Sequence, residues 1–190
     1  MKENIKSFTV FLTVLLVSIF AVAAIMGQAL PSLIEVKGTQ VQTTDNTTQD
    51  ITGLLASEAT LNDYENAVAA LINSYRASNG VAPVAYSGKL TYVAKLRSQD
   101  LLDRDYFSHY TPEGNTVFNI MREAGISFSR AGENLGHARP ADIGSPEAFL
   151  DAWAKSPSHN ANMLRDVYGK IGVGMVENGD RIVVTTVFTN

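Results

Sequence analysis

The sequence predicts an α+β domain with helices on both sides of a small, mostly antiparallel sheet. Three observations carry this. Capped, amphipathic helical patterns begin at Asn62, Ser87 and Ser145. Two extended runs close the chain on either side of Asn178-Gly179, and hydrophobic residues make up 45% of the composition against 18% charged, the balance of a packed body.

The first helix starts with Asn62 and Glu65 in the spacing of a capping box. Val68, Leu71, Ile72 and Tyr75 then fall on one face, and Gly80 ends the run. Pro83 breaks the path before Ser87 caps a second helix, whose buried side is Leu90, Val93, Ala94, Leu101 and Leu102. Val117, Ile120, Met121 and Ala124 give a short helix stopped by Gly125. Ile126–Arg130 is expected to be a strand, followed by loops at Gly132–Leu135 and His137–Gly144. Ser145-Pro146-Glu147 combines an N-cap, a proline in the first turn and an acid, and Ala148, Phe149, Ala152 and Trp153 form the apolar face behind it. Ser156-Pro157 restarts a short helical turn ending near Leu164.

Lys170–Glu177 and Asp180–Phe188 read as strands joined at Asn178-Gly179. A hairpin needs a further strand for stability, and Ile126–Arg130 is the expected partner. Gly172 and Gly174 share one face, opposite Ile171, Val173 and Met175, which predicts a helix or loop packed close against that face.

Ahead of this body lies a segment of different character. Lys2 and Lys6 precede an apolar run from Phe8 to Met26, interrupted only by Thr9, Thr13 and Ser18. Its length approaches the roughly 20 residues that span a bilayer. Residues 1–29 are therefore expected to be either a signal peptide, with small residues at Gly27-Gln28-Ala29 for cleavage, or a membrane anchor. In both cases the positive end stays inside and the rest of the chain lies outside, anchored at the extracellular face or secreted. Residues 30–57 include the Thr-, Gln- and Asp-rich Lys37–Asp50, without apolar period, and read as a flexible extracellular tether. Asn46-Thr47-Thr48 has the form of a glycosylation sequon.

With no cysteine in the 190 residues, disulfides, thiol catalysis and thiolate metal sites are excluded. A net charge of −4 without any run of Lys and Arg argues against nucleic acid as a partner. A body of roughly 130 residues can bury a sufficient core without covalent staples.

Phe107–Gly114 is the stretch around which the rest is organised. It carries one of three histidines, His109, with Phe107 and Tyr110 expected to anchor it in a core and Pro112 and Gly114 to shape a turn. Glu133 and His159 lie in later segments expected to meet it in one cleft. Two imidazoles and a carboxylate form a familiar metal set, although no pair has the helical i, i+4 spacing of a metal motif. His137 is read as exposed. Ser108 and Ser158 adjoin the two histidines, yet sequence neighbours rarely form a nucleophile–base pair, and no Gly-x-Ser-x-Gly elbow is present. No second carboxylate is placed for glycosidase chemistry, and no glycine-rich phosphate loop appears. The same residues also suit a purely structural role, with histidines hydrogen-bonded to Glu133 tying loops to the sheet.

Phe107-Ser108-His109 with Pro112 and Gly114, then Gly132-Glu133-Asn134-Leu135, then Trp153 followed by Ser156-Pro157-Ser158-His159 and Asn162, then Ile171-Gly172-Val173-Gly174, occur in an order that resembles the CAP superfamily. That family, also called the SCP-like extracellular domain, takes its name from cysteine-rich secretory proteins, antigen 5 and pathogenesis-related class 1 proteins. The chain is most similar to its microbial, cysteine-free branch, over roughly Leu61 to Phe188. The resemblance implies a three-layer α-β-α sandwich over residues 58–190, with a central cleft of two histidines and two acids. Some members hold a divalent metal there, often zinc, and others bind sterols or fatty acids elsewhere. His109, Glu133 and His159 take three of the four cleft positions, and Ser156 stands where the fourth acid is expected. Losing one carboxylate should weaken a cation site, so the expected occupant is a weakly held divalent metal such as zinc, a small ligand or a cell-envelope component. A non-enzymatic binding module is the reading that follows. The alternative is a metal-dependent or Ser/His/Glu hydrolase acting on peptide or cell-envelope material.

Overall fold

Three helices begin where the sequence supplies a side-chain cap, at Asn62, Ser87 and Ser145. The computed structural model describes residues 59–190. The expected signal peptide or anchor, the tether and the Asn46 sequon lie outside the described residues. In α1 (Asp63–Ser78) Asn62 Oδ1 accepts from Glu65 N at 2.8 Å, and Glu65 Oε2 accepts from Asn62 N at 2.9 Å. Ser87 starts α2 (Gly88–Asp103) after a two-residue strand β1 (Ala85–Tyr86) that the sequence did not announce. The chain continues through α3 (Val117–Glu123), β2 (Ala131–Ala138), a 3₁₀ turn (Ala141–Ile143), α4 (Pro146–Lys155), α5 (Pro157–Met163), β3 (Lys170–Asn178) and β4 (Arg181–Thr189). No helix among the described residues is long and apolar enough to cross a membrane.

The four strands form one sheet in the order β1-β3-β4-β2. β1 pairs with β3 in parallel, and the other two pairings are antiparallel. The partner of the hairpin is therefore Ala131–Ala138, and the expected strand at Ile126–Arg130 is irregular chain leading into it. Side-chain packing explains the shift. Gly132 and Gly136 fit close to neighbours, a Cβ on Gly136 falling 2.6 Å from the Phe149 ring, whereas Ile126 and Phe128 pack against the helices α2 and α3. The hairpin turn also sits one residue later than Asn178-Gly179. Asn178 pairs with Arg181, which leaves Gly179-Asp180 as the two-residue loop, with Gly179 at φ +61°. Glycine at the first loop position is the preference of a type II′ turn.

Two apolar layers flank the sheet. Val68, Ile72, Phe149, Trp153, Ile171 and Val173 pack α1 and α4 on one face. Leu90, Ala94, Val117, Met121 and Val187 pack α2 and α3 on the other. The second layer lies unusually near: a Cβ on Gly172 would stand 2.1 Å from the Leu90 carbonyl carbon, and one on Gly174 2.2 Å from that of Ala94. The glycines on β3 are thus the place where the α2 backbone rests on the sheet, as expected. The result is a three-layer α-β-α sandwich.

Candidate functional site

β2 organises the site because it is an edge strand whose successive side chains point to opposite faces. Glu133 is buried toward α2, and Asn134 is buried toward α5. The acidic segment expected as a loop is therefore a strand, and this gives its residues a fixed direction. Asn134 Nδ2 donates to the His159 carbonyl at 3.1 Å. Asn162 Nδ2 reaches back to Asn134 Oδ1 at 3.0 Å and to the Glu133 carbonyl at 3.1 Å. These two amides hold the short helix that carries His159 against the strand that carries Glu133.

His109 arrives from the loop after α2. Phe107 and Tyr110 do not anchor that loop in the core, being 44% and 62% exposed. Arg97 does the work assigned to them. Its side chain is fully buried, its Nε donates to Glu133 Oε1 at 3.1 Å, and its other nitrogens donate to the Ser108 carbonyl and the Tyr106 hydroxyl. One guanidinium therefore fixes both the acid and the backbone beside His109. Below it, Asp100 is drawn in. Burial pushes its carboxyl upward, but hydrogen bonds from Arg104 and Tyr106 and the charges of Arg104 and Arg97 outweigh this and hold it below its usual value.

Glu133 Oε2 meets His109 Nδ1 at 2.6 Å. Arg97 donates to one oxygen of Glu133 and His109 Nδ1 meets the other, an arrangement in which the carboxylate accepts and the imidazole donates from Nδ1. Nε2 of a neutral His109 then presents a lone pair outward, on a ring that is 52% exposed. His109, Tyr110, Gly132, Glu133 and Asn162 line a hollow of about 330 Å³. His159 is half-buried and opens onto a neighbouring groove of about 610 Å³ with Leu135, Trp153 and Ser156. Burial, then the charge of His109, holds the His159 imidazole below its ordinary value. The two rings thus open onto adjoining hollows along the free edge of β2.

His137 is exposed, as expected, but on β2 and not in a loop, with its ring edge-on to Phe107 at 4.2 Å between centroids. Ser156 is the N-cap of α5, its hydroxyl 3.4 Å from that of Ser158. Among the described residues neither Ser108 nor Ser158 hydrogen-bonds a histidine side chain, and no three His, Cys, Asp or Glu side chains form a group that could hold a metal.

Arg97 was the residue missed in the sequence. It falls between Ala94 and Leu101 on the apolar stripe of α2, and a charge on such a stripe must find a buried partner. Arg76 breaks the stripe of α1 in the same way. It is fully buried and donates to the carbonyls of Ala82, Met163, Arg165 and Tyr168.

Comparison with known proteins agrees with this architecture. The chain is 34% identical to the protein YkwD of Bacillus subtilis (strain 168) over 124 residues, 65% of this chain and 47% of that protein. An extracellular protein containing an SCP domain from Bacillus anthracis str. Ames superimposes with a TM-score of 0.60 at 26% identity, covering 67% of this chain and 40% of the other. An outer surface protein of Borrelia burgdorferi shares the fold, with a TM-score of 0.61 at 18% identity over 70% of this chain and 98% of its own. The chain thus spans about half the length of YkwD and less of the Bacillus anthracis protein. Residues 69–189 match the CAP, or cysteine-rich secretory protein, family, and the chain belongs to that family.

Proposed function

We propose that this domain is a binding module whose cleft takes a small polar ligand through the imidazoles of His109 and His159, with Glu133 orienting and not ligating. The observation that carries this reading is the double engagement of Glu133, by Arg97 at 3.1 Å and by His109 Nδ1 at 2.6 Å. A buried cation already balances the carboxylate, so a metal approaching it would meet a guanidinium. The three-ligand set of His109, Glu133 and His159 therefore does not fit a tightly held metal. Zinc would have two imidazole ligands from this set, which is a weak site. What remains well formed is one oriented imidazole, His109, on a hollow of about 330 Å³, with the His159 ring on the adjoining groove.

The apolar run at Phe8–Met26 and the Bacillus relative described as extracellular support a place outside the membrane, with the domain exported and held there by its N-terminal segment. Cell-envelope fragments are accordingly the ligand class to try first. Thermal shift and imidazole NMR with N-acetylglucosamine, short peptidoglycan peptides and glycerol phosphate test the reading. A response in the wild type that disappears in His109→Ala supports it. Silence across the panel would sink it.

The carboxylate-held imidazole also supports a second reading, in which His109 Nε2 takes a proton from a water that attacks a peptide or envelope ester. Turnover of such substrates, lost in His109→Ala, would move the assignment to hydrolysis.

A further inference from the structure

The outward carbonyls of β2 are covered along only half of its free edge. Its even-numbered residues pair with β4, so Glu133, Leu135 and His137 turn their backbone groups outward. Asn162 takes the Glu133 carbonyl, and Trp153 Nε1 takes the Leu135 carbonyl at 2.9 Å. At His137 that cover stops. Among the described residues neither its N–H nor its carbonyl has a partner outside the β4 ladder.

The open half coincides with the groove of about 610 Å³, which straddles the strand edge. Phe107 rises on one side, with Ile143, Ala148 and Ala152 on the other, and Phe107 and Ile143 are 44% and 61% exposed. The polar lining is one-sided as well. On a chain of net charge −4, no carboxylate among the described residues lines this groove, whereas His137, Arg139 and His159 do. Arg139 is the one cation of the rim among the described residues; its Nε is ion-paired with Asp180 at 2.9 Å on the exposed surface, and its terminal nitrogens have no protein partner among them.

We infer that this groove binds an extended, apolar peptide bearing a carboxylate, which adds to the sheet by pairing with His137. Open main-chain groups supply the hydrogen bonds, apolar walls on both sides of the edge receive alternate side chains, and the terminal nitrogens of Arg139 receive the acid. The groove adjoins the proposed polar-ligand hollow and shares His159 with it, but needs no part of His109.

The experiment uses the full chain in phosphatidylcholine vesicles and reads Trp153, the one tryptophan of the sequence and a wall of the groove. The probe is acetyl-Val-Leu-Val-Asp. Saturable change in Trp153 emission is expected, weakened about tenfold or more when the peptide amides of one edge are N-methylated and little when those of the other edge are. Ala152→Glu, an exposed change on α4, should weaken binding by a similar factor while leaving the His109 response to polar ligands intact. Equal binding by all N-methylated forms would reduce the contact to apolar adsorption and overturn the inference. So would the absence of saturation up to about 1 mM, where binding would be worth less than about 4 kcal/mol.

Discussion

Arg97 and Glu133 meet at 3.1 Å with both side chains withdrawn from water, 0% and 4% exposed. The same carboxylate reaches His109 at 2.6 Å, so one continuous chain runs from the interior of α2 to an imidazole at the surface. Each partner limits what the next can do. The guanidinium directs the carboxylate, and the carboxylate fixes which histidine nitrogen faces out.

Removing one member of this chain should therefore cost far more than a surface ion pair. Arg97→Leu is expected to destabilise the domain by about 3–5 kcal/mol, because it strands a buried carboxylate and frees the Ser108 carbonyl. Arg97→Lys should lose part of that, since an ammonium cannot reproduce the fork. Urea unfolding measures both. Equal stability of Arg97→Leu and wild type would show that the pair is not formed.

The lowered His159 value gives a pH dependence with a definite sign. The unfolded chain takes up this proton near the ordinary histidine value of about 6.5, the folded domain only at lower pH. Between the two the unfolded state binds more protons, so stability rises with pH through that window and the gain is complete above about 6.5. Unfolding free energies at a series of pH values should show this slope in wild type and a flatter one in His159→Gln. An unchanged slope would place the proton elsewhere.

Two glycines should respond differently to alanine for different physical reasons. Gly174→Ala drives a methyl to 2.2 Å from the α2 backbone and is expected to cost about 1–3 kcal/mol or more, because the helix must move off the sheet. Gly179→Ala meets nothing within 4 Å but sits at φ +61°, for about 1–2 kcal/mol of local strain. Thermal unfolding of both checks this, and a silent Gly174→Ala would contradict the close packing.

The helices and the hairpin were legible because their signals are local. Asn62 with Glu65, Ser87 and Ser145 are caps that work within a single turn, and Gly172 and Gly174 announce a close neighbour on their own strand. β2 was misplaced because Gly132 and Gly136 suggest a loop in isolation, and only Tyr168 and Phe149 packing against them make glycine suit a strand there. β1, two residues long, gains its identity from Lys170 and Ile171 far along the chain. In the site, His109 and Glu133 could be named from the sequence and do meet. Their link through Arg97 was hidden, because a long polar side chain on an apolar stripe does not say which distant acid it will find. The exposure of Phe107 and Tyr110 was hidden because an aromatic residue in a loop does not say whether a wall of the core will reach it.

Zinc provides a further check on the cleft. With Glu133 engaged by Arg97, tens of micromolar zinc should shift the melting temperature of the full chain by no more than about 1 °C, the size expected when ligand concentration barely reaches the dissociation constant. A shift of many degrees that vanishes in His109→Ala would mean that the carboxylate is released to the metal.

The arrangement of the cleft is tested most directly by long-range ¹H–¹⁵N NMR of the histidine side chains at neutral pH. His109 is predicted in the tautomer with its proton on Nδ1 and Nε2 bare, and Glu133→Gln should disturb that signal while leaving His137 as it was. A His109 ring carrying its single proton on Nε2, or one indifferent to Glu133→Gln, would contradict it.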